Sequence, residues 1–271
     1  MKFAVTVPKL LLVFFLFGNL WGQTNTHNLA KRAAFIFNGE IVDARNLKQI
    51  NFPLPVRSRV VRVVKVLYVK PTIAVRVGDL VVVQMAGETA PATGTRAIFY
   101  TNGWGYGKYL IVRELGHAAP SDTQQSDIAR AKAEAEDDRV RERLDGAELV
   151  IAGKVNSTHA YEEARKSTPI SEHDADWWIA EVQVTRFLKG KAVKDVVLVA
   201  FPNSRDVMWA DSPKFKSGEE GIWILRRPRN IARIFQGIEA PVYTAINRRD
   251  FQEPKQADRI VRLLKTPTPD K

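Results

Sequence analysis

Hydrophobic positions along this chain follow three patterns. The first is a dense run, Leu10-Leu-Leu-Val-Phe-Phe-Leu-Phe17, preceded by Lys2 and Lys9 and followed by Gly18 and a polar stretch from Gln23 to Asn28. The second is a series of short segments rich in Val, Ile and aromatics and bounded by turn residues, which predicts β-strands. Trp178, Ala180, Val182 and Val184 alternate with Ile179, Glu181, Gln183 and Thr185, the period-two pattern of a strand with one face more buried than the other. Leu80-Val-Val-Val83 does not alternate, which predicts burial on both faces. Gly39 and Gly153 interrupt two such segments, as glycine does at a bulge or sharp bend. The third pattern is helical. Asp127 to Asp145 is rich in Ala, Glu, Arg and Lys, with a thin stripe of Ile128, Ala131, Ala135 and Leu144. It predicts an exposed or loosely docked helix, opened by a Ser121–Gln124 capping box and ended at Gly146. A last helix is predicted with Pro254 in its first turn and Ile260, Leu263 and Leu264 as its apolar side, before a disordered tail at 266–271.

The strand segments repeat. Phe35–Ile41 resembles Leu149–Val155, and Gly107–Arg113 resembles Gly221–Arg227, both at an offset of 114. Val77–Val83 resembles Val193–Val199 at 116, and Tyr68–Lys70 resembles Phe187–Lys189 at 119. Four collinear matches predict two copies of one module, residues 30–117 and 147–228. A joining helix at 121–146 lies between them, and an extension at 229–265 contains the last helix.

Composition sharpens this picture at three points. The basic start, short apolar core and small residue before a polar segment have the layout of a secretory signal peptide, residues 1–22, cut near Gly22. The apolar run falls short of the roughly 20 residues that a membrane span needs, so no span is expected after the leader is removed. The 271 residues include no cysteine, which excludes a disulfide framework, a zinc–thiolate site, an iron–sulfur cluster and a cysteine nucleophile. A cysteine-free exported chain suits the bacterial periplasm or secretion better than an animal extracellular setting. The formal net charge is +11, and it is uneven: residues 45–76 carry +8, whereas 121–146 carry −3.

The strand pattern carries a resemblance. A glycine-containing first strand (Val150–Val155) is followed by a long second strand ending in Arg-Phe-Leu-Lys-Gly at 186–190 and a valine-rich third strand (Val196–Val199). Phe-Lys-Ser-Gly-Glu-Glu-Gly at 215–221 precedes the last. This order resembles the barrels of the netrin-module and tissue-inhibitor-of-metalloproteinases group, and bacterial exported proteins with the same pattern. The resemblance implies a mostly β chain with helical additions, in which two five-stranded OB-like Greek-key barrels stand in tandem. Those inhibitors act through an N-terminal cysteine that chelates the protease zinc, and they are held by disulfides. Neither feature can exist in this chain.

OB barrels bind ligands on the face of strands 2 and 3, flanked by the 1–2 and 4–5 loops. In the first copy, Arg45 to Arg76 contains eight Lys/Arg and no acid, and the 4–5 loop reads Thr101-Asn-Gly-Trp-Gly-Tyr-Gly107. Cations beside rings suit a polyanion, so Arg57, Arg59, Lys65, Trp104, Tyr106 and Lys108 are the candidate binding residues. The competing reading is a solvated basic face, with the rings packed over a barrel mouth. In the second copy, the loop at 157–176 holds His159, Glu162, Glu163, Glu172, His173, Asp174 and Asp176. Of these, His159, His173, Asp174 and Asp176 form a candidate metal set. The competing reading is a polar loop whose aspartates cap turns ahead of the Trp177-Trp178 pair. No nucleophile elbow, His-Glu-x-x-His or phosphate-cradling loop occurs. The expectation is therefore a non-enzymatic exported protein without a cofactor, binding a protein partner or an anionic polymer or glycan of the envelope. Export disfavours nucleic acid. The alternatives are a metal-dependent hydrolase or metal-binding module on the 157–176 loop and a protease-inhibitor-like module.

Overall fold

The computed structural model describes residues 26–47, 57–87, 91–105, 107–166, 173–191, 194–228 and 231–266. The segment 1–22 expected to be a signal peptide and the residues beyond Thr266 lie outside the described residues. The described residues are mostly β, with 41% strand and 26% helix. The chain divides into two compact units between Ala135 and Glu136.

Unit 1 opens with helix α1, residues 26–32. Five strands follow: β1 (Phe35–Val42), β2 (Ser58–Val69), β3 (Leu80–Gln84), β4 (Arg96–Gly105) and β5 (Leu110–Ala118). They form a closed barrel in the order β1-β2-β3-β5-β4. The β3–β5 pair is parallel and the other pairs are antiparallel. Phe35, Phe37, Val61, Val83, Phe99 and Val112 fill the interior. Val81 and Val83 point inward, while Val82 packs outside with Leu47 and Val60. That two-sided burial is why β3 does not alternate.

Helix α2 (Gln124–Asp145) follows β5. Its first half and α1 cover the outer face of the barrel, where Leu29, Ala30, Ile128 and Ala131 pack on Ile36, Ile98 and Tyr100. Ile128 and Ala131 are 2% and 0% exposed, so this part of the helix is firmly docked. One arm of the capping box forms, with Ser121 N donating to Gln124 Oε1 at 3.3 Å. Gln124 Nε2 also donates to the buried Tyr100 hydroxyl at 2.9 Å.

Unit 2 contains β6 (Leu149–Ala160), helix α3 (Glu162–Lys166), β7 (Trp177–Lys189), β8 (Val196–Pro202), β9 (Glu220–Leu225), β10 (Val242–Thr244), β11 (Phe251–Gln252) and helix α4 (Ala257–Lys265). The strands form a six-stranded sheet in the order β10-β8-β7-β6-β9-β11, with β10 parallel to β8. The expected barrel pair is thus a closed barrel in unit 1 and a sheet in unit 2. Among the described residues a single isolated bridge, Arg226–Thr244, links the β9 side to β10. In unit 1 the equivalent position is the Asn102–Arg113 pair of a full β4–β5 ladder. β10 has only three residues, and β11 pairs with β9, so that ladder is reduced to a point.

The internal repeat is visible in register. The β1–β2 pair shifts register at Ile36/Phe37 and Asn38/Gly39, and the β6–β7 pair shifts at Val150/Ile151 and Ala152/Gly153, the same places 114 residues on. Val61 pairs with Val81, and Val182 with Val197, which reproduces the 116 offset of the third strand. Tyr68 faces Ile36 as Lys189 faces Val150, so the second strands align at 121 rather than 119. The match of Gly107–Arg113 with Gly221–Arg227 joins strands that are not equivalent. β9 pairs with β6 as β4 pairs with β1, which makes it the fourth strand of its unit and not the fifth. Both segments open on glycine and carry a continuous apolar run that ends in arginine, and a local pattern does not record the pairing partner. The true fourth-strand signature is the preceding turn. Gly94 (φ 85°) donates to Ile41 O and Gly218 (φ 86°) to Val155 O, both at 2.8 Å.

The second half of α2 belongs to unit 2, where Val140 and Leu144 pack with Val150, Ile222, Ile224, Ile260 and Leu263. Each unit therefore has a helix before its first strand and another after its last, and α2 serves both ends. Among the described residues four ion pairs fasten this half to the C-terminal extension: Arg249–Glu136 at 2.7 Å, Arg259–Asp137 at 2.6 Å, Arg143–Asp250 at 2.5 Å and Arg262–Asp137 at 3.7 Å. Burial works to raise the Glu136 carboxyl, but the Arg249 guanidinium outweighs it and holds the group below its ordinary value of 4.5. A depressed carboxyl stabilises the fold above its unfolded value, and that contribution is lost as pH falls through the folded value. Unit 2 is therefore expected to weaken below pH 4.5. In urea titrations at stepped pH, Glu136→Gln should flatten that decline; an unchanged slope would refute the assignment.

Candidate functional site

β2 carries the basic residues picked out by composition. Arg57, in the turn before it, has φ 63°, and its carbonyl accepts from Met85 N at 3.2 Å. Arg59 pairs with Val83 across β3, and its Nη1 donates to Ser58 O at 3.0 Å. Lys65 stands opposite Asn38 on β1. By strand rise, Arg59 and Lys65 are about 20 Å apart, so the cations are spread along the strand and do not cluster. Arg62 lies between them, opposite Glu40 and Leu80; alternation sets it on the outer face with Val60, whereas Arg59 is on the side of the inward Val61. Composition counts Arg62 among eight cations but does not single it out. Glu40 is itself engaged by Arg96 at 3.6 Å. Arg57, Arg59, Arg62 and Lys65 are all exposed. None of the four pairs with a carboxylate among the described residues.

The aromatic half of the expectation changes. Trp104 falls within β4, but its side chain, like the whole of Tyr106, lies outside the described residues. The ring that reaches the outer β2–β3–β5 face is Tyr109, which packs with Leu47 over Val60, Val82 and Ile111. Lys108 Nζ lies 6.0 Å from the centroid of that ring. The face is thus an apolar patch, capped by one residue from each flanking loop and bordered by the cations of β2. Tyr109 was missed because the neighbouring Gly-Trp-Gly-Tyr-Gly run is the louder local signal.

A second feature of unit 1 has no sequence signature. Glu114 is 4% exposed and accepts from Ala86 N at 2.9 Å and His117 Nδ1 at 2.7 Å. The His117 ring lies 6.1 Å from that of Phe99. The carboxylate orients the imidazole, and the described residues bring no third metal ligand to the pair.

In unit 2 the candidate metal residues lie at the end of β6 and just before β7. His159 lies on β6 opposite Ile179. His173 Nδ1 contacts Asp206 Oδ2 at 2.9 Å. Asp206 also accepts from Met208 N at 2.7 Å, and these contacts, the backbone one first, hold its carboxyl below the usual range. Asp176 accepts from the Trp178 indole at 3.1 Å, and its backbone N donates to Ser204 Oγ at 2.6 Å. Asp174 is exposed. Among the described residues no group of three or more His, Asp or Glu is placed to hold a metal ion. No described helix is long and apolar enough to cross a membrane.

The chain matches no family model and no curated protein. The reading of the site therefore rests on its own geometry.

Proposed function

We propose that this chain is a non-enzymatic exported binding protein built from two tandem OB-like modules, the first closed into a barrel and the second left as an open sheet, and that unit 1 recognises an anionic polymer of the cell envelope. One observation carries the reading: Arg57, Arg59, Arg62 and Lys65 are four exposed cations within nine residues of β2 and the turn before it, with no carboxylate partner among the described residues. An extended series of such cations matches a linear polyanion, because each contact releases condensed counterions along the polymer. The strand order β1-β2-β3-β5-β4 supports the OB-like reading and its resemblance to netrin-type modules. The cations border the β2–β3 face on which such barrels bind ligands.

Heparin resin is the probe. The intact protein is expected to bind at low salt and to elute steeply as salt rises. Arg59→Glu with Arg62→Glu should lower the eluting salt concentration about twofold, since two contacts are lost and two repulsions added. Both residues are exposed, so the fold should survive, which circular dichroism checks. Unchanged elution would overturn the polyanion reading and leave an acidic protein surface as the partner to test.

A further inference from the structure

Unit 2 carries a cation-rich segment of its own. In the shared strand order, the connection from the fourth to the fifth strand is 106–109 in unit 1 but 226–241 in unit 2. No acid occurs between Glu220 and Glu239. The longer connection folds back on the sheet, and its Ile231, Ile234, Phe235 and Ile238 pack with Tyr161 on Trp177, Ile179 and Ala200. Beside this packing it leaves an open cavity of about 390 Å³, whose walls include Pro228, Phe235, Ile238 and Val242. Arg227 and Glu239 are the charged side chains that line it.

Arg227 is held ready. Its guanidinium carbon lies 4.7 Å from the centroid of the buried Tyr243 ring. Its backbone N donates to Glu148 Oε1 at 3.1 Å, which fixes the main chain without using the side chain. Among the described residues no carboxylate pairs with the guanidinium. A guanidinium stacked on a ring keeps its donor edge available and loses little further freedom on binding an anion. Its neighbour Arg226 is differently placed, since its Nη2 donates to the carbonyls of Glu142 and Arg143.

We propose that this cavity is a binding site for a small amphiphilic carboxylate. The carboxylate pairs with the Arg227 fork, and the apolar body lies against Phe235, Ile238 and Val242. Glu239 on the same rim makes a singly charged head a better match than a phosphate dianion. The proposal concerns unit 2 alone and does not depend on the polyanion reading of unit 1.

The test titrates the intact protein with octanoate while following backbone amide resonances. Saturable shifts are expected at residues 231–242, with octanol, octylamine and octyl phosphate each binding more weakly. Arg227→Gln should weaken octanoate about tenfold, the loss of one charge-assisted bidentate contact, and Arg227→Lys should retain part of the affinity. The Arg227 side chain is exposed and its main-chain hydrogen bond survives substitution, so both variants should fold. The proposal is overturned if octanol binds as tightly as octanoate, or if Arg227→Gln leaves the affinity unchanged. Absence of saturable shifts up to about 10 mM would overturn it equally, since an affinity that weak is worth less than about 3 kcal/mol. Octanoate affinity should be unaffected by Arg59→Glu with Arg62→Glu, which separates this site from the cations of β2.

Discussion

Replacing Asp250 by alanine is expected to cost unit 2 about 3–5 kcal/mol, the loss seen when one partner of a buried ion pair is removed. Asp250 is fully buried. Its Oδ1 accepts from Arg143 Nε at 2.8 Å and Nη2 at 2.5 Å, and its Oδ2 accepts from Ile246 N at 3.0 Å and Asn247 N at 2.9 Å. Alanine leaves two main-chain donors and a half-buried guanidinium without a partner. It also removes the acidic half of the capping box that opens the turn at Arg248–Asp250. Trp177, Trp178, Trp209 and Trp223 all lie in unit 2, so urea unfolding followed by indole fluorescence reports mainly on that unit. The midpoint should fall sharply. Adding Arg143→Met should restore part of the loss, because the stranded charge is gone. An unchanged midpoint for Asp250→Ala would show that the contact contributes no net stability.

The second large effect is expected at Gly153. A methyl group there would come 2.5 Å from the carbonyl oxygen of Gln183 and 2.9 Å from Val182 Cγ1. The carbonyl belongs to the neighbouring strand and cannot withdraw without breaking the ladder. Gly153→Ala should therefore cost about 3 kcal/mol, the upper end for overpacking. Gly39, its counterpart in unit 1, faces side chains instead, those of Val61 and Phe37. Both are fully buried in the barrel interior, so the packed core itself would have to give, and Gly39→Ala should also destabilise its unit, by about 1–3 kcal/mol. An unchanged urea midpoint for Gly153→Ala would contradict the main-chain clash.

Both glycines are legible as bulge positions, because each breaks an otherwise continuous run of strand-forming residues. β1, β3, β6 and β8 are legible for the same reason: their side chains are buried, and burial forces a local choice of residues. α2 is legible as a helix but not as a docked one. Its apolar stripe is thin because Ala131 and Ala135 suffice where the packing is close, and because Val140 and Leu144 face different neighbours from Ile128. The basic stretch of β2 is legible as charge. That it lacks acidic partners is not, since Glu40 is distant in sequence and is taken by Arg96 only through the β1–β4 pairing.

Strand-forming segments, the repeat and the concentration of charge on β2 follow from the sequence alone, since each depends on residues close together in the chain. Strand rank within each unit, the isolated bridge that joins the β9 side to β10, the Arg143–Asp250 pair and the cavity beside Arg227 are decided by tertiary structure. Each needs groups tens of residues apart to meet. Hydrogen-bond pairing and ion pairing act on position in space, and position comes from the whole fold and not from any window of it.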